Sequence, residues 1–297
     1  MSPSSPTIAV LSHSESFYTT RRLMEEARRS GCAVTRIDPT RVTLSLHARE
    51  PIFEDGAALP VPDILIPRVG ATLTEWGLAL LRALRCAGSW SPASAEAMAL
   101  AQDKLGASLE LRACGVPVLP TVALREPAHI ADALHQLETS SYVIKRPRGT
   151  QGRGVMSSPD ISSARALLEG LLVDQGITLA QPLIAQTSPK DLRVLVIGGR
   201  AYAACWRHAA AGEFRSNVHL GGSTTQAELS APIAKLAERA AAAVELPVCG
   251  VDLIETPNGL AVLEVNGSPG IEGMEAATDL NIAGEMISWM VLQWRNC

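Results

Sequence analysis

Three oxygen-bearing side chains near the C-terminal end of the sequence could together hold a divalent cation. They lie in GVDLIETPNGLAVLEVN, residues 250–266, whose turn centre falls near Pro257-Asn258. A hairpin folded there places Asp252 about opposite Glu264, with Asn266 on the same face as Glu264. Two like charges facing each other in apolar surroundings are destabilising, and a Mg²⁺ or Mn²⁺ ion removes the conflict. The alternative is a solvated face with cations nearby.

A second candidate site combines one lysine with a glycine-rich segment. In YVIKRPRGTQGRGVM, residues 142–156, Lys145 ends a short apolar run and is followed by Gly149, Gly152 and Gly154. The G-x-x-G-x-G spacing matches neither the dinucleotide fingerprint nor a P-loop. The amides of such a hairpin cover can approach an anion closely, and a lysine rooted on the preceding strand suits nucleotide phosphates. An ordinary glycine-rich turn beside an exposed lysine is the alternative.

The segment FRSNVHLGG, residues 214–222, is a third candidate. Arg215 and Asn217 alternate on one side of an extended stretch and could reach a phosphoryl group, although a polar loop explains them equally well. His219 has no Cys, Asp or His partner at metal-ligand spacing, and the serines lack a nucleophile elbow. The sequence therefore predicts no catalytic serine triad.

The elements that must position these residues follow two patterns. The succession TIAVLSH, FYTTRRLMEEARRSG and CAVTRID predicts a strand–helix–strand crossover in an α/β layer. The stretch SPASAEAMALAQDKLGASLELRACG predicts one long helix, with Ser94 as its N-cap and Gly115 as its stop. After Pro120 a small α+β unit follows, and DLRVLVIGGRAYAACWR predicts a hairpin around Gly198-Gly199. Helices then flank the acidic hairpin.

Composition restricts the class of protein. The 297 residues are 47% hydrophobic, which predicts a sizeable core and roughly two domains. The net charge of −4 argues against a nucleic-acid binder held by a basic face. The six cysteines form no C-x-x-C pair, no apolar run reaches membrane-spanning length, and the N-terminus lacks the basic start of a signal peptide. We expect a cytoplasmic protein with no nucleic-acid or membrane partner.

Taken together and in order, these segments resemble the RimK-type α-L-glutamate ligases of the ATP-grasp superfamily. The resemblance rests on IPRVG, QDKLGASLELRACGVPVLPT, VIKRPRGTQGRGV and, most specifically, on EFRSN with EVNGSPGIEG. It covers the chain from about residue 7 to the last helix. It implies mixed α/β and α+β structure: an N-terminal α/β (pre-ATP-grasp) domain over 1–98 and an ATP-grasp domain over 99–297. The latter divides into a small lid at about 116–180 and a metal-binding subdomain at about 181–297.

The resemblance also implies roles for individual residues. ATP is expected to bind at Lys104, Lys145, the three glycines of the 149–154 loop, Pro182, Leu183, Asp191, Arg215 and Asn217. Of these, Pro182 and Leu183 would meet the adenine and Asp191 the ribose, while Arg215 and Asn217 would be catalytic. Asp252, Glu264 and Asn266 would hold two Mg²⁺ or Mn²⁺ ions, and Arg68 would pair with a substrate carboxylate. Pro182 departs from the family pattern, because relatives usually carry Glu at that place in the connector.

The implied activity is ATP-dependent amide formation through an acyl phosphate, most simply the addition of L-glutamate to the C-terminus of a peptide or protein. Other readings stay open. The enzyme could join other amino acids or glutamylate a small cofactor or carrier, or the chain could be an inactive nucleotide-binding regulator. A phosphotransferase acting on a small alcohol would need a general base that the sequence does not offer. The mean hydropathy of +0.15 favours self-association, so a homo-oligomer is expected.

Overall fold

The N-terminal part contains a parallel sheet and a small antiparallel sheet. The computed structural model describes residues 5–69, 74–149, 154–184, 189–210, 213 and 221–297. The first sheet has the order β2 (Ala33–Ile37), β1 (Thr7–Leu11), β6 (Ile64–Pro67), flanked by α1 (Tyr18–Arg29) and α2 (Thr74–Cys86). The second comprises β3 (Val42–Leu44), β4 (Ile52–Glu54) and β5 (Ala57–Ala58). The parallel pairing of β1 with both neighbours confirms the predicted strand–helix–strand unit.

The third predicted helix is wrong in one respect, because the structure breaks it in two. Helices α3 (Ala95–Gln102) and α4 (Lys104–Ala113) meet at Asp103, whose backbone is extended. The Asp103 carboxylate accepts hydrogen bonds from the first free amides of α4, so this residue is an N-cap inside an otherwise helical pattern. Ser94 caps α3 as expected, by accepting from the amide of Ala97. The break makes Lys104 the first residue of α4.

The segment after the helices forms an antiparallel sheet covered by helices on one face. The strand order is β7 (Val122–Leu124), β10 (Thr178–Pro182), β8 (Tyr142–Lys145), β9 (Val155–Ser158). Helices α5 (Ile130–His135) and α6 (Ile161–Gln175) bury a core with one face of this sheet. Strand residues in that core are Leu124, Tyr142, Ile144 and Ala180. We call this unit the lid.

The C-terminal part is built on a five-stranded antiparallel sheet. Its order is β13 (Ser223–Gln226), β12 (Arg200–His208), β11 (Lys190–Ile197), β14 (Val248–Thr256), β15 (Gly259–Asn266). Helix α7 (Ala231–Ala243) lies on one face, and α8 (Glu272–Thr278) and α9 (Ile282–Arg295) complete the described chain. The hairpin at Gly198-Gly199 is confirmed: both residues have positive φ, and a Cβ at Gly198 would collide with the Trp289 indole of α9.

One face of the five-stranded sheet changes character along its length. On β11 the residues Leu195 and Ile197 share a core with α9 and with the N-terminal parallel sheet. Asp191 and Arg193 follow the same two-residue period on the same strand, and they carry charges instead. The α9 end of this face is therefore apolar and the other end is charged. In the described residues no helix is both long and apolar enough to cross a membrane.

Candidate active site

The acidic pair predicted from the hairpin meets across β14 and β15. Asp252 is paired with Glu264 in the strand register, and a β-bulge directly follows Asp252. The Asn266 Nδ2 atom lies 3.2 Å from Asp252 Oδ2 and 3.3 Å from Glu264 Oε1, so the three side chains converge. Asp252 is only 2% exposed, and Glu264 is half-buried. The hairpin therefore brings the three predicted metal ligands together in a partly dry place.

These residues suit a hard divalent cation by their chemistry. Two carboxylates and one amide provide only oxygen ligands once the Asn266 amide is turned, since its O and N exchange places by a rotation about one bond. Among the described residues no group of three or more His, Cys, Asp or Glu side chains is arranged to hold a metal ion, so the set depends on the amide of Asn266. The residues present fit Mg²⁺ or Mn²⁺ bound jointly with phosphate oxygens.

Two arginines that the sequence reasoning missed neutralise Asp252. Arg193 donates from Nε and Nη2 to the two Asp252 oxygens, at 2.7 Å each. Arg207 Nη2 lies 2.8 Å from Asp252 Oδ2 and also donates to Asp191, whose other oxygen receives Arg207 Nε at 2.6 Å. Burial opposes ionisation of Asp252, but the two guanidinium groups outweigh it and hold its pKa below the usual range. One signal was available: Arg193 directly precedes the apolar run VLVI, and Arg207 directly follows the run AYAACW.

The carboxylate of Asp191 is already hydrogen-bonded within this network. It is buried, and both of its oxygens accept from Arg207. Burial and the nearby negative charge of Asp252 raise its pKa, and Arg207 acts in the opposite direction. The expected contact of Asp191 with a ribose stays a prediction, and such a contact would have to share the carboxylate with Arg207. We call Asp191, Arg193, Arg207, Asp252, Glu264 and Asn266 the charged face.

The lid presents Lys145 to the charged face. Lys145 ends β8 and is half-buried. Burial lowers its pKa to about 8, the charge of Glu264 opposes that shift, and the charge of Lys104 adds to it. The lysine is therefore near both Glu264 and Lys104. Its strand neighbour Ile144 points to the lid core, so Lys145 lies on the face of the lid sheet away from the helices.

Lys104 secures the stem of the glycine-rich segment. Its Nζ donates to the carbonyl of Gly149 at 2.8 Å, and its backbone amide donates to the carbonyl of Pro147 at 2.8 Å. The break at Asp103 positions this lysine, because a continuous helix would spend its amide within the helix. At the far end of the segment, Gly154 has φ +73° and its carbonyl accepts from the amide of Arg146. Gly152 lies outside the described residues.

Neither Pro182 nor Leu183, at the end of the lid sheet, has a free backbone donor. Pro182 has no amide hydrogen, and the amide of Leu183 donates to the carbonyl of Ser141 at 2.9 Å. A residue that the sequence reasoning passed over is Gln181, which is 6% exposed and lies on the same face of the lid sheet as Lys145. Its Nε2 donates to Thr121 Oγ1, and its buried Oε1 has no partner among the described residues.

Arg68 reaches the loop that follows β15. It follows β6, and its Nη1 donates to the carbonyl of Pro269 at 2.7 Å. Ser268 Oγ donates to the carbonyl of Pro67, so two bonds fix the end of β6 against this loop. Burial lowers the pKa of Arg68 to about 10, and its Nε atom is buried without a partner in the described part of the chain. A buried cation with an unused donor suits an anionic ligand.

The remaining predicted residues cannot be placed in this way. Arg215 and Asn217, the two candidates for catalysis, lie outside the described residues. The structure thus brings together Asp252, Glu264 and Asn266 with Lys104 and Lys145, and it adds Arg193, Arg207 and Gln181 to them.

Comparisons with known proteins agree with this architecture. Residues 101–290 match the family described as RimK-like ATP-grasp domain, and residues 7–98 match the RimK PreATP-grasp domain. A probable α-L-glutamate ligase of Stenotrophomonas maltophilia (strain K279a) is 38% identical over 281 residues, which are 94% of this chain and 96% of that protein.

Solved structures show the same fold. The crystal structure of a RimK domain protein ATP-grasp from Sphaerobacter thermophilus aligns with a TM-score of 0.75 at 20% identity, covering 95% of this chain and 98% of the other. The ATP-grasp ligase PsnB, complexed with a phosphomimetic variant of its minimal precursor, Mg and ADP, aligns with a TM-score of 0.73 at 21% identity, covering 97% and 98%. The predicted fold class, ATP-grasp with an N-terminal pre-ATP-grasp domain, is confirmed.

Proposed function

The chain belongs to the RimK-like ATP-grasp family and is an ATP-dependent ligase, and from this premise we propose that it adds L-glutamate to the C-terminal carboxylate of a peptide or protein. The observation that carries the proposal is the convergence of Asp252, Glu264 and Asn266 on the five-stranded sheet, with Lys145 of the lid close enough for its charge to interact with Glu264. Oxygen ligands on one sheet and a cation on the other form the two sides of a site for a metal-bound triphosphate.

The proposed reaction has two steps. An oxygen of the acceptor carboxylate attacks the γ-phosphorus of ATP, the bond from that phosphorus to the β–γ bridging oxygen breaks, and ADP leaves with an acyl phosphate remaining. The amine nitrogen of glutamate then attacks the acyl carbon. The carbon–oxygen bond to phosphate breaks, the nitrogen loses a proton to phosphate or solvent, and the products are an amide, ADP and inorganic phosphate. Both nucleophiles come from the substrates, so the protein positions charge instead of supplying a nucleophile.

The described residues divide this work between them. Asp252, Glu264 and Asn266 would hold the metal, which when bound neutralises phosphate oxygens as charge moves between them. Lys145 would bind phosphate from the lid side. Lys104 would bind phosphate at the base of the glycine-rich segment, once its amine no longer donates to the carbonyl of Gly149.

The substrate and nucleotide ends of the site involve other residues. Arg68, with its unused buried donor, would pair with a substrate carboxylate. Pro182 and Leu183 would meet the adenine through carbonyls and side chains, since their backbone donors are missing or used. Asp191 would accept a ribose hydroxyl beside Arg207. Arg215 and Asn217 would stabilise the transferring phosphoryl group, and two bound metal ions are expected.

The choice of glutamate and of a peptide acceptor rests on relatives. Curated proteins 37–38% identical to this chain are named probable α-L-glutamate ligases. Among solved neighbours, PsnB is complexed with a precursor and the macrocyclase MdnC with a precursor peptide. A ligase that joins other amino acids, or one that glutamylates a small cofactor or carrier, would use the same site. An inactive nucleotide-binding regulator is the remaining alternative, and a homo-oligomer in the cytoplasm stays the prediction made from the sequence.

A screen of amino acids and acceptor peptides with ATP and Mg²⁺, read by mass spectrometry and ADP release, tests the proposal. We expect one glutamyl residue or more to be added with ADP formed. The Glu264→Gln variant should lose about 10²–10³-fold in rate, as is typical when one charge-stabilising contact is lost. Arg200→Gln is the matched control, because Arg200 is an exposed charge on the same sheet. A phosphoester product, or ADP release that Glu264→Gln leaves unchanged, would contradict the proposal.

A further inference from the structure

The most heavily bonded atom of the charged face is Asp252 Oδ2. It accepts hydrogen bonds from Arg193 Nη2 at 2.7 Å and from Asn266 Nδ2 at 3.2 Å, and Arg207 Nη2 lies 2.8 Å from it as an ion-pair partner. The other oxygen, Oδ1, accepts from Arg193 Nε at 2.7 Å. A carboxylate oxygen has about two lone-pair directions, so the two hydrogen bonds use both of them, and the Arg207 guanidinium lies against the same oxygen. A cation can take this oxygen only by displacing a donor.

The charges around Asp252 lead to the same conclusion. The charged face and the two lysines next to it contain three carboxylates (Asp191, Asp252, Glu264) and four cations (Arg193, Arg207, Lys104, Lys145). This set of residues is therefore formally positive by one charge before any metal arrives. Adding a divalent ion alone increases the excess of positive charge, whereas a polyphosphate anion that enters with it removes the excess.

From these contacts we infer that Arg193, supported by Arg207, occupies the metal position at Asp252 in the nucleotide-free protein and competes with the metal for that carboxylate. This inference rests on the proposed metal role of Asp252, Glu264 and Asn266. Its consequence is an ordered requirement: the metal binds poorly alone and well together with nucleotide, because the phosphates neutralise the guanidinium that the metal displaces. Arg193 is thus a positioning residue that couples the two ligands.

The surroundings of Arg193 differ from those of Arg207 in two respects, a bare stretch of backbone and a larger exposed fraction. A Cβ added at Gly250, the residue two positions before Asp252 on β14, would lie 3.5 Å from Arg193 Nε and 3.1 Å from Pro269 Cβ. Gly250 thus borders the arginine with bare backbone. Arg193 is also less buried than its partner: its side chain is 16% exposed, whereas the Arg207 side chain is 7% exposed and held by two carboxylates. Arg193 is therefore the guanidinium that can leave more easily.

Binding of Mn²⁺ alone and of Mn²⁺ with ADP, followed by the paramagnetic resonance signal of the free ion, tests the inference on the full chain. In the wild-type protein, ADP should tighten Mn²⁺ binding strongly. In Arg193→Gln, Mn²⁺ alone should bind about tenfold more tightly than in the wild type, since a competing cation is gone. The enhancement by ADP should shrink by about the same factor. Arg200→Gln removes one positive charge without touching Asp252 and should change neither quantity.

The outcomes separate this inference from the proposed function. A folded Arg193→Gln that binds Mn²⁺ alone no more tightly than the wild type overturns the inference and leaves the ligase proposal standing. Wild-type protein that binds no Mn²⁺–ADP overturns both. Where Arg193→Gln does not fold, the arginine Nε–H resonance of Arg193 in the wild-type protein decides. It should shift on addition of Mg²⁺–ADP and stay in place with Mg²⁺ alone, and a resonance unmoved by Mg²⁺–ADP overturns the inference.

Discussion

The two sides of the site differ in how their charges are compensated. On the five-stranded sheet, Asp252 accepts hydrogen bonds from Arg193 and Asn266 and is ion-paired with Arg207. On the lid, Lys145 has a lowered pKa, and the buried Gln181 Oε1 has no partner among the described residues. The buried charge of the sheet half is therefore compensated without a ligand, whereas the lid half keeps unused polar groups. We interpret the paired charges of the sheet half as stabilising contacts that a ligand can replace. We interpret the unused polar groups of the lid half as groups that bind ligand.

The largest expected effect comes from removing charge on the sheet side. Asp252→Ala leaves Arg193 with no carboxylate partner among the described residues and Arg207 with one fewer. Stranding buried charge in this way typically costs about 3–5 kcal/mol. Lys145→Met removes a poorly compensated charge from the lid and should leave the free energy of unfolding unchanged or higher. Denaturant unfolding of both variants measures the difference. Equal destabilisation by the two substitutions would contradict the proposed difference in charge compensation between the five-stranded sheet and the lid.

The next effect is a pH dependence that belongs to Lys145. Its pKa is lowered from 10.5 to about 8, so between these values the unfolded chain binds the proton that the folded chain has lost. Stability should therefore rise with pH across that window because of this group, and the rise should be absent in Lys145→Met. Unfolding measured from pH 7 to pH 10 in both proteins gives the difference curve. A flat difference across this interval would show that the amine is not desolvated.

Nucleotide binding should also change the protonation of Lys145. An anion beside Lys145 favours the charged amine, so ADP binding near pH 8.5 should take up protons. Calorimetry in buffers of different ionisation enthalpy measures that uptake. The uptake should be smaller in Lys145→Met, whereas the exposed-charge variant Arg200→Gln should resemble the wild type.

The smallest expected effect concerns the helix break. Asp103→Ala removes an N-cap whose carboxylate accepts from two amides, which should cost about 1 kcal/mol. Because the same residue sets the start of α4, Lys104 should lose its fixed contact with Gly149, and the KM for ATP should rise more than kcat falls. Ser94→Ala, which removes the N-cap of α3, is the matched control for a cap without a site lysine. A similar change of KM in both variants would show that the helix break at Asp103 does not position Lys104 for ATP binding.

Much of the fold followed from local pattern. The strand–helix–strand unit, the glycine hairpin at Gly198-Gly199 and the acidic hairpin all depend on residues close together in sequence, where periodicity and turn chemistry decide. The same holds for the site: the register of Asp252 with Glu264 follows from one turn. The helix between Ser94 and Gly115 was predicted unbroken because its periodicity continues through Asp103, and only the capping contacts show the break.

The sequence by itself predicted which residues could bind a metal, since a hairpin turn and a two-residue period bring Asp252, Glu264 and Asn266 to one face. The tertiary structure decided what neutralises them. Arg193 and Asp252 are 59 residues apart in the sequence, and they meet because β11 pairs with β14, a pairing that no local pattern specifies. Whether a buried carboxylate is free or already bonded depends on such distant neighbours, because the free energy of a charge is set by everything within a few ångströms of it.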